Sequence, residues 1–292
     1  MNQDEIINLF DSIEEKMINK DTLGFAPEVL DVLDNVEAGS QEIEMIKLQI
    51  SNEILMLVFS IANSAYYKNI RKGKISSFYE VVTSLGMNHV KVMIIILALK
   101  ILARGDKEIE IIFIRSVVSA VFGKILSQQF GMREDNARRV ELGGLFSEIG
   151  TMIILLYKKL YAAHDERIDE TFIKKYHPYL AERIIEQFSL PDYLKQVVFS
   201  ESIVLEDSYI TISGITRLSI DFVAECFYKF HNQLVVEDHS PPVSGCDGAM
   251  SLANIIEHQF DAVGLGKYLR IIKNKERLLP EYEGRKKEQE RV

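Results

Sequence analysis

Apolar residues recur at helical spacing along nearly the whole chain, and no stretch shows sustained two-residue alternation. Ile6, Phe10, Ile13 and Met17 stand four, three and four apart with acidic residues between them, the stripe of an amphipathic helix. Gly24 and Pro27 then punctuate the chain. Pro27 suits a first helical turn, where its missing N–H costs nothing, and Val29, Leu30, Leu33 and Val36 would supply the inner face. Gly39-Ser40 ends that helix and starts another, facing inward through Ile43, Ile46 and Ile50. Ser51 is placed to cap a further helix carrying Leu55, Val58, Phe59 and Ala62.

Beyond Ile61-Ala-Asn-Ser-Ala-Tyr-Tyr67 comes a basic loop with Lys68, Arg71, Lys72 and Lys74. Ser77 followed three residues later by Glu80 predicts a capping box, with Gly86 closing the helix. Asn88 is then read as the cap of the most apolar helix, from His89 to about Ala103, whose apolar residues on every side predict a central core position. A long helix is expected from Lys107 to Phe130, stopped by Gly131, and Asp135 begins the next. Thr151 to Tyr161 is again helical, Ala162 to Asp169 a polar connection, and His177-Pro178 a helix start, because the residue before proline avoids the α region. Leu190-Pro191 opens another helix and Ile210 to Phe230 continues the pattern. A loop at 241–248, short helices at about 249–260 and 266–277, and a charged tail from Glu281 complete an all-α reading.

Within this pattern, Glu141-Leu-Gly-Gly-Leu-Phe-Ser-Glu-Ile-Gly150 stands out. Ser147 and Glu148 interrupt an apolar face, and polar groups in a buried segment must meet partners or cost free energy. Either a metal or catalytic centre lies here, or a helix-packing site with a buried ion pair or solvated carboxylate.

Composition narrows the choice. The 292 residues suffice for one large or two modest cores. A formal net charge of −9 disfavours a general nucleic-acid binder, although a local basic patch could survive it. The two cysteines, Cys226 and Cys246, form no CxxC motif, which excludes a disulfide framework and a thiolate zinc site and suits a reducing cytoplasm. The N-terminus lacks the order of a signal peptide, and the Val92–Leu99 apolar run between Lys91 and Lys100 is short of a membrane span. A cytoplasmic protein without membrane insertion is expected. No Gly-x-Ser-x-Gly motif marks a nucleophile, and Cys226 falls in an apolar helical stretch where a thiol is usually inert.

Phe25-Ala-Pro-Glu-Val-Leu30, Ile61-Ala-Asn-Ser-Ala-Tyr-Tyr67, Ser84-Leu-Gly-Met87, Gly144-Leu-Phe-Ser-Glu-Ile-Gly150, and Tyr176-His177 ahead of Leu190-Pro191 together resemble the HDOD domain, an HD-related output domain of bacterial signalling proteins. The resemblance covers about residues 22–205 and implies an all-α, HD-like helical core with an added N-terminal helical layer. Residues 1–21 would form an N-terminal helix, 22–104 the helical layer, 105–205 a degenerate HD-like core and 206–292 a C-terminal helical extension with a charged tail.

HD enzymes hold one or two divalent metals with His and Asp side chains, and the metal activates water against a phosphate ester. By resemblance, Arg115 in Phe113-Ile-Arg-Ser116 stands at the first ligand position, and Ser147-Glu148 replaces the His-Asp pair. His177 matches a histidine common in the family, while Phe199-Ser-Glu201 lacks the downstream one. Arginine stays protonated and cannot bind a cation, and a neutral serine is a poor ligand. The expectation is therefore a vacated site without metal or other cofactor, in which Arg115 and Glu148 pair directly.

Asn63, Ser64, Tyr66, Tyr67, Lys72 and Lys74 are candidates for a partner or ligand surface, tyrosine being suited to interfaces. The competing reading makes Asn63 and Ser64 helix-end groups, Tyr66 a packing residue and the lysines a solvated loop. His89, His164, His231, His239 and His258 are scattered and read as surface or cap residues. The resemblance implies a stand-alone, non-catalytic signalling module that binds a partner protein or small ligand, in two-component, chemotaxis or motility control. A divergent phosphohydrolase acting on a nucleotide and a nucleic-acid-linked regulator remain alternatives.

Overall fold

The computed structural model describes residues 3–18, 23, 25–64, 67, 73–199 and 211–232. Twelve α-helices lie among them: α1 (Gln3–Ile13), α2 (Pro27–Asp34), α3 (Ser40–Ile46), α4 (Asn52–Ala62), α5 (Phe78–Leu85), α6 (Met87–Leu102), α7 (Lys107–Gln129), α8 (Glu134–Phe146), α9 (Ile149–Tyr161), α10 (Glu170–Gln187), α11 (Tyr193–Phe199) and α12 (Ile212–Asn232). The only β-pairing in the described part is an isolated bridge between Phe25 and Ile50. The fold is therefore all-α, with an HD-like helical core and extra helices at both ends.

Local signals account for several helix ends. Ser51 Oγ accepts from Ile54 N at 3.4 Å. The capping box is complete: Glu80 N donates to Ser77 Oγ at 3.1 Å, and Ser77 N donates to the Glu80 carboxylate at the same distance. Asp106 and Asp169 cap α7 and α10 by accepting from first-turn N–H groups. Gly86 and Gly131 carry φ of 91° and 73°, a region that side chains other than glycine's enter at a cost.

Several expected boundaries differ. α6 begins at Met87 behind Gly86, so Asn88 lies inside the helix rather than capping it. α2 ends at Asp34, which leaves Val36 exposed instead of on an inner face. His177-Pro178 falls in the interior of α10, not at its start. The Asp169 cap begins the helix eight residues earlier, and packing carries it through the one hydrogen bond that proline removes. The expected loop at 241–248, the two short helices beyond it and the charged tail lie outside the described residues.

α6 is the axis of the core. Every residue from His89 to Leu99 is buried, so it can be enclosed only if helices surround it. α2, α4 and α5 pack on one part of it and α7, α8 and α9 on another. A continuous apolar core runs from Leu9 in α1 to Val198 in α11, and each fully buried aliphatic or aromatic side chain contributes about 1.5–3 kcal/mol. Buried Lys91 ties the end of α2 to the segment after α10, donating to Asp34 at 2.5 Å and to the Ser189 carbonyl at 3.2 Å.

α12 closes the far side of α7 and α8. Small residues make this possible: a Cβ on Gly123 would meet Ser219 and Val140, and one on Gly143 would meet Thr216. Phe122 stacks on Phe222 with centroids 4.7 Å apart. The helical stretch Glu134–Tyr161 is long and apolar enough to cross a membrane, but 89% of its apolar window is buried inside the protein, as in a core helix.

Candidate functional site

The polar interruption at Ser147-Glu148 is a turn between α8 and α9. Ser147 Oγ donates to the Gly144 carbonyl at 2.8 Å, and Glu148 sits at φ −103°, ψ 8°, outside helical geometry. Two glycines seat the turn. A Cβ on Gly144 would lie 2.6 Å from the Ala120 backbone nitrogen, and one on Gly150 would lie 1.9 Å from the His177 carbonyl oxygen. The turn is thus pressed between the backbones of α7 and α10, closer than any residue with a side chain allows.

That approach brings Arg115 on α7 to Glu148. Arg115 Nη2 donates to the Glu148 carboxylate, with side-chain exposures of 28% and 10%. His177 lies close enough to feel both charges, and Arg217 of α12 adds a second cation. Burial pushes the His177 imidazole below its ordinary pKa. Glu148 opposes that shift, while Arg217 and Arg115 reinforce it, so the ring is neutral at physiological pH. Its Nδ1 is buried without a hydrogen-bond partner among the described residues.

The resemblance to HD enzymes would put a divalent metal here, and these side chains do not fit one. Arg115 brings a permanent positive charge, Ser147 turns its hydroxyl back onto a carbonyl, and the Glu148 charge is already matched. Among the described residues no three His, Cys, Asp or Glu side chains are grouped to hold a metal ion.

A second polar cluster lies deeper and joins Tyr67, a candidate for the partner or ligand surface, to Glu141 at the start of the polar-interrupted stretch and to Lys124, which the sequence did not single out. Glu141 of α8 is 3% exposed. It accepts from the Tyr67 hydroxyl at 2.6 Å and pairs with Lys124 of α7 at 2.9 Å. Burial opposes its ionisation, but Lys124 and the Tyr67 hydrogen bond outweigh burial and hold its pKa below the usual carboxylate value. Burial and the Glu141 charge push the Tyr67 phenol well above its ordinary pKa, which keeps it a donor. His89 Nε2 stands 3.8 Å from Glu141. Burial lowers its pKa despite the carboxylate, so it is neutral there and no ion pair forms. His89 is therefore a buried member of this cluster, not the surface or cap residue its isolated position suggested. An acidic residue in the apolar run of α8 and a lysine in that of α7 were the available signals, readable only once the helices were known to face each other.

The other candidates separate. Asn63 is a staple: its Nδ2 donates to the Phe59 and Ile75 carbonyls and its Oδ1 accepts from Ile75 N. Ser64 and Tyr67 come together with Glu141 on the wall of a cavity of about 170 Å³ between α4, α6, α7 and α8. Lys74 is exposed. Tyr66 and Lys72 lie outside the described residues.

Comparison with known proteins agrees with the fold. A crystal structure from Shewanella amazonensis, described as a candidate metal-dependent phosphohydrolase, is similar with a TM-score of 0.50 and 15% identity, over 90% of this chain and 89% of that one. An HDOD domain protein of unknown function from Geobacter sulfurreducens gives a TM-score of 0.45 at 15% identity, over 89% of each chain. No curated protein matches the chain. At 15% identity the Shewanella amazonensis structure speaks for shared architecture alone. The HDOD domain family model, however, matches residues 25–202, more than half of the sequence, and the chain belongs to the HDOD domain family.

Proposed function

We propose that this protein is a non-catalytic signalling module that acts by binding a partner protein or a small ligand. The ion pair between Arg115 and Glu148 carries the reading. At the positions where an HD hydrolase would collect metal ligands, this chain has a cation bonded to the one carboxylate. Removing the metal removes the Lewis acid and the activated water on which that chemistry depends. What remains is a rigid helical body with a neutral histidine and a matched charge pair at its former centre, suited to recognition. Family membership supports a role in two-component, chemotaxis or motility control by analogy of fold and sequence.

Metal analysis of the purified full chain, together with a phosphodiesterase assay on bis(p-nitrophenyl) phosphate, tests the reading. Substoichiometric metal and no turnover are expected, with a specific protein or small molecule co-purifying from the native cell. A stoichiometric divalent metal, with turnover abolished in Glu148→Ala, would overturn it.

A further inference from the structure

The cavity beside Glu141 plays no part in the vacated centre. It lies between the C-terminal end of α4 and the faces of α6, α7 and α8, and its walls are mainly apolar, including Met93, Leu97, Phe113 and Val117. At about 170 Å³ it is comparable to engineered protein cavities of about 150 Å³ that take up benzene. It is partly open: Ser60 at its rim is exposed and Ile61, Phe113 and Val117 are half-buried, so a small molecule can enter while the apolar walls cover most of it.

One end of the cavity is polar. Ser64 lines it, and its Oγ is buried with no hydrogen-bond partner among the described residues. Glu141 and Tyr67 share that wall. Each carboxylate oxygen of Glu141 takes one bond in the structure, from Tyr67 and from Lys124, and each has room for a second. The Glu141 charge already has a counter-ion in Lys124 at 2.9 Å, which also reaches Glu134 at 3.6 Å. A charged ligand would bring an uncompensated charge into a buried place, whereas a neutral hydroxyl could donate to Glu141 or Ser64 without that penalty.

We propose that this cavity binds a small neutral molecule with an apolar body of about one ring and a single hydroxyl group, an alcohol or a phenol. The apolar walls would take the body, and Ser64 with Glu141 would take the hydroxyl. This rests on the reading of the protein as a binding module and makes its ligand specific.

The test titrates the full chain with benzyl alcohol, toluene, benzylamine and benzoate, following the Met93 methyl resonance. Benzyl alcohol should shift it saturably. Toluene should bind about two- to tenfold more weakly, the factor for one net hydrogen bond. Benzylammonium and benzoate should not bind. Val117→Phe, which fills the space from a half-buried position, should abolish the response while the circular dichroism spectrum is kept. Ser64→Ala should bring benzyl alcohol towards toluene. A Met93 signal that no probe moves, or a Val117→Phe variant that responds like the parent, would overturn the proposal and leave a water-filled space. Either result leaves the non-catalytic reading intact if metal and turnover are absent, whereas metal-dependent turnover sinks that reading whatever the cavity binds.

Discussion

Glu141 and Lys124 meet 2.9 Å apart in the interior, with side-chain exposures of 4% and 9%. Such a pair is costly to desolvate, and half of it is costlier still. Glu141→Gln should lower stability by about 3–5 kcal/mol, because Lys124 is left buried without its main counter-charge. Glu141→Leu combined with Lys124→Met should recover most of that loss. Urea unfolding of Glu141→Leu, Lys124→Met and the double variant checks the cycle, and simple additivity would show that the pair is not coupled.

The Arg115–Glu148 pair should behave more mildly. Arg115 keeps 28% of its side chain exposed, so solvent screens its pairing with Glu148. Arg115→Met is expected to cost about 1–3 kcal/mol, the range for removing a charged hydrogen-bond partner from a group with limited access to water. A thermal melt showing no loss would mean that Glu148 is solvated without Arg115.

Gly144 and Gly150 should tolerate no side chain. Either alanine variant forces backbone against backbone, at 2.6 Å and 1.9 Å respectively, and should cost at least about 3 kcal/mol or prevent folding. Gly39→Ala is the control: a Cβ there meets nothing within 4 Å, and the expected loss is a few tenths of a kcal/mol, about that of a weaker cap. Equal melting temperatures for the three variants would contradict the close approach of α8 and α9 to their neighbours.

Acid should destabilise the fold in two stages. His89 and His177 both have lowered pKa values, chiefly through burial. The unfolded chain therefore binds more protons than the native one below about pH 6.5, so stability falls as pH drops through that range. Glu141, also lowered, contributes stability above its unfolded pKa that is lost as pH falls through its folded value. Denaturant midpoints between pH 7 and 5 should decline, and His89→Asn with His177→Asn should flatten that part of the slope. An unchanged slope would mean that the imidazoles gain water or partners in solution.

The helical class, the capping box at Ser77 and Glu80, and the Ser51 cap were legible in the sequence, because period and capping act within about four residues. The poor ligand chemistry of Arg115 and Ser147 was legible as well, since an arginine and a neutral serine are unsuited to a cation wherever the fold places them. The pairing of Arg115 with Glu148 could be anticipated only through resemblance, and its geometry depends on Gly144 and Gly150 bringing three backbones together. The Tyr67–Glu141 bond, 74 residues apart in sequence, the burial of His89 and the run of α10 through Pro178 were decided by tertiary structure. Each depends on which faces are enclosed, and free energies of burial and long-range contact outweigh local preference there. Period and residue type thus determined the helices and the ligand chemistry these side chains can offer, while packing decided which polar groups meet and where a cavity remains among them.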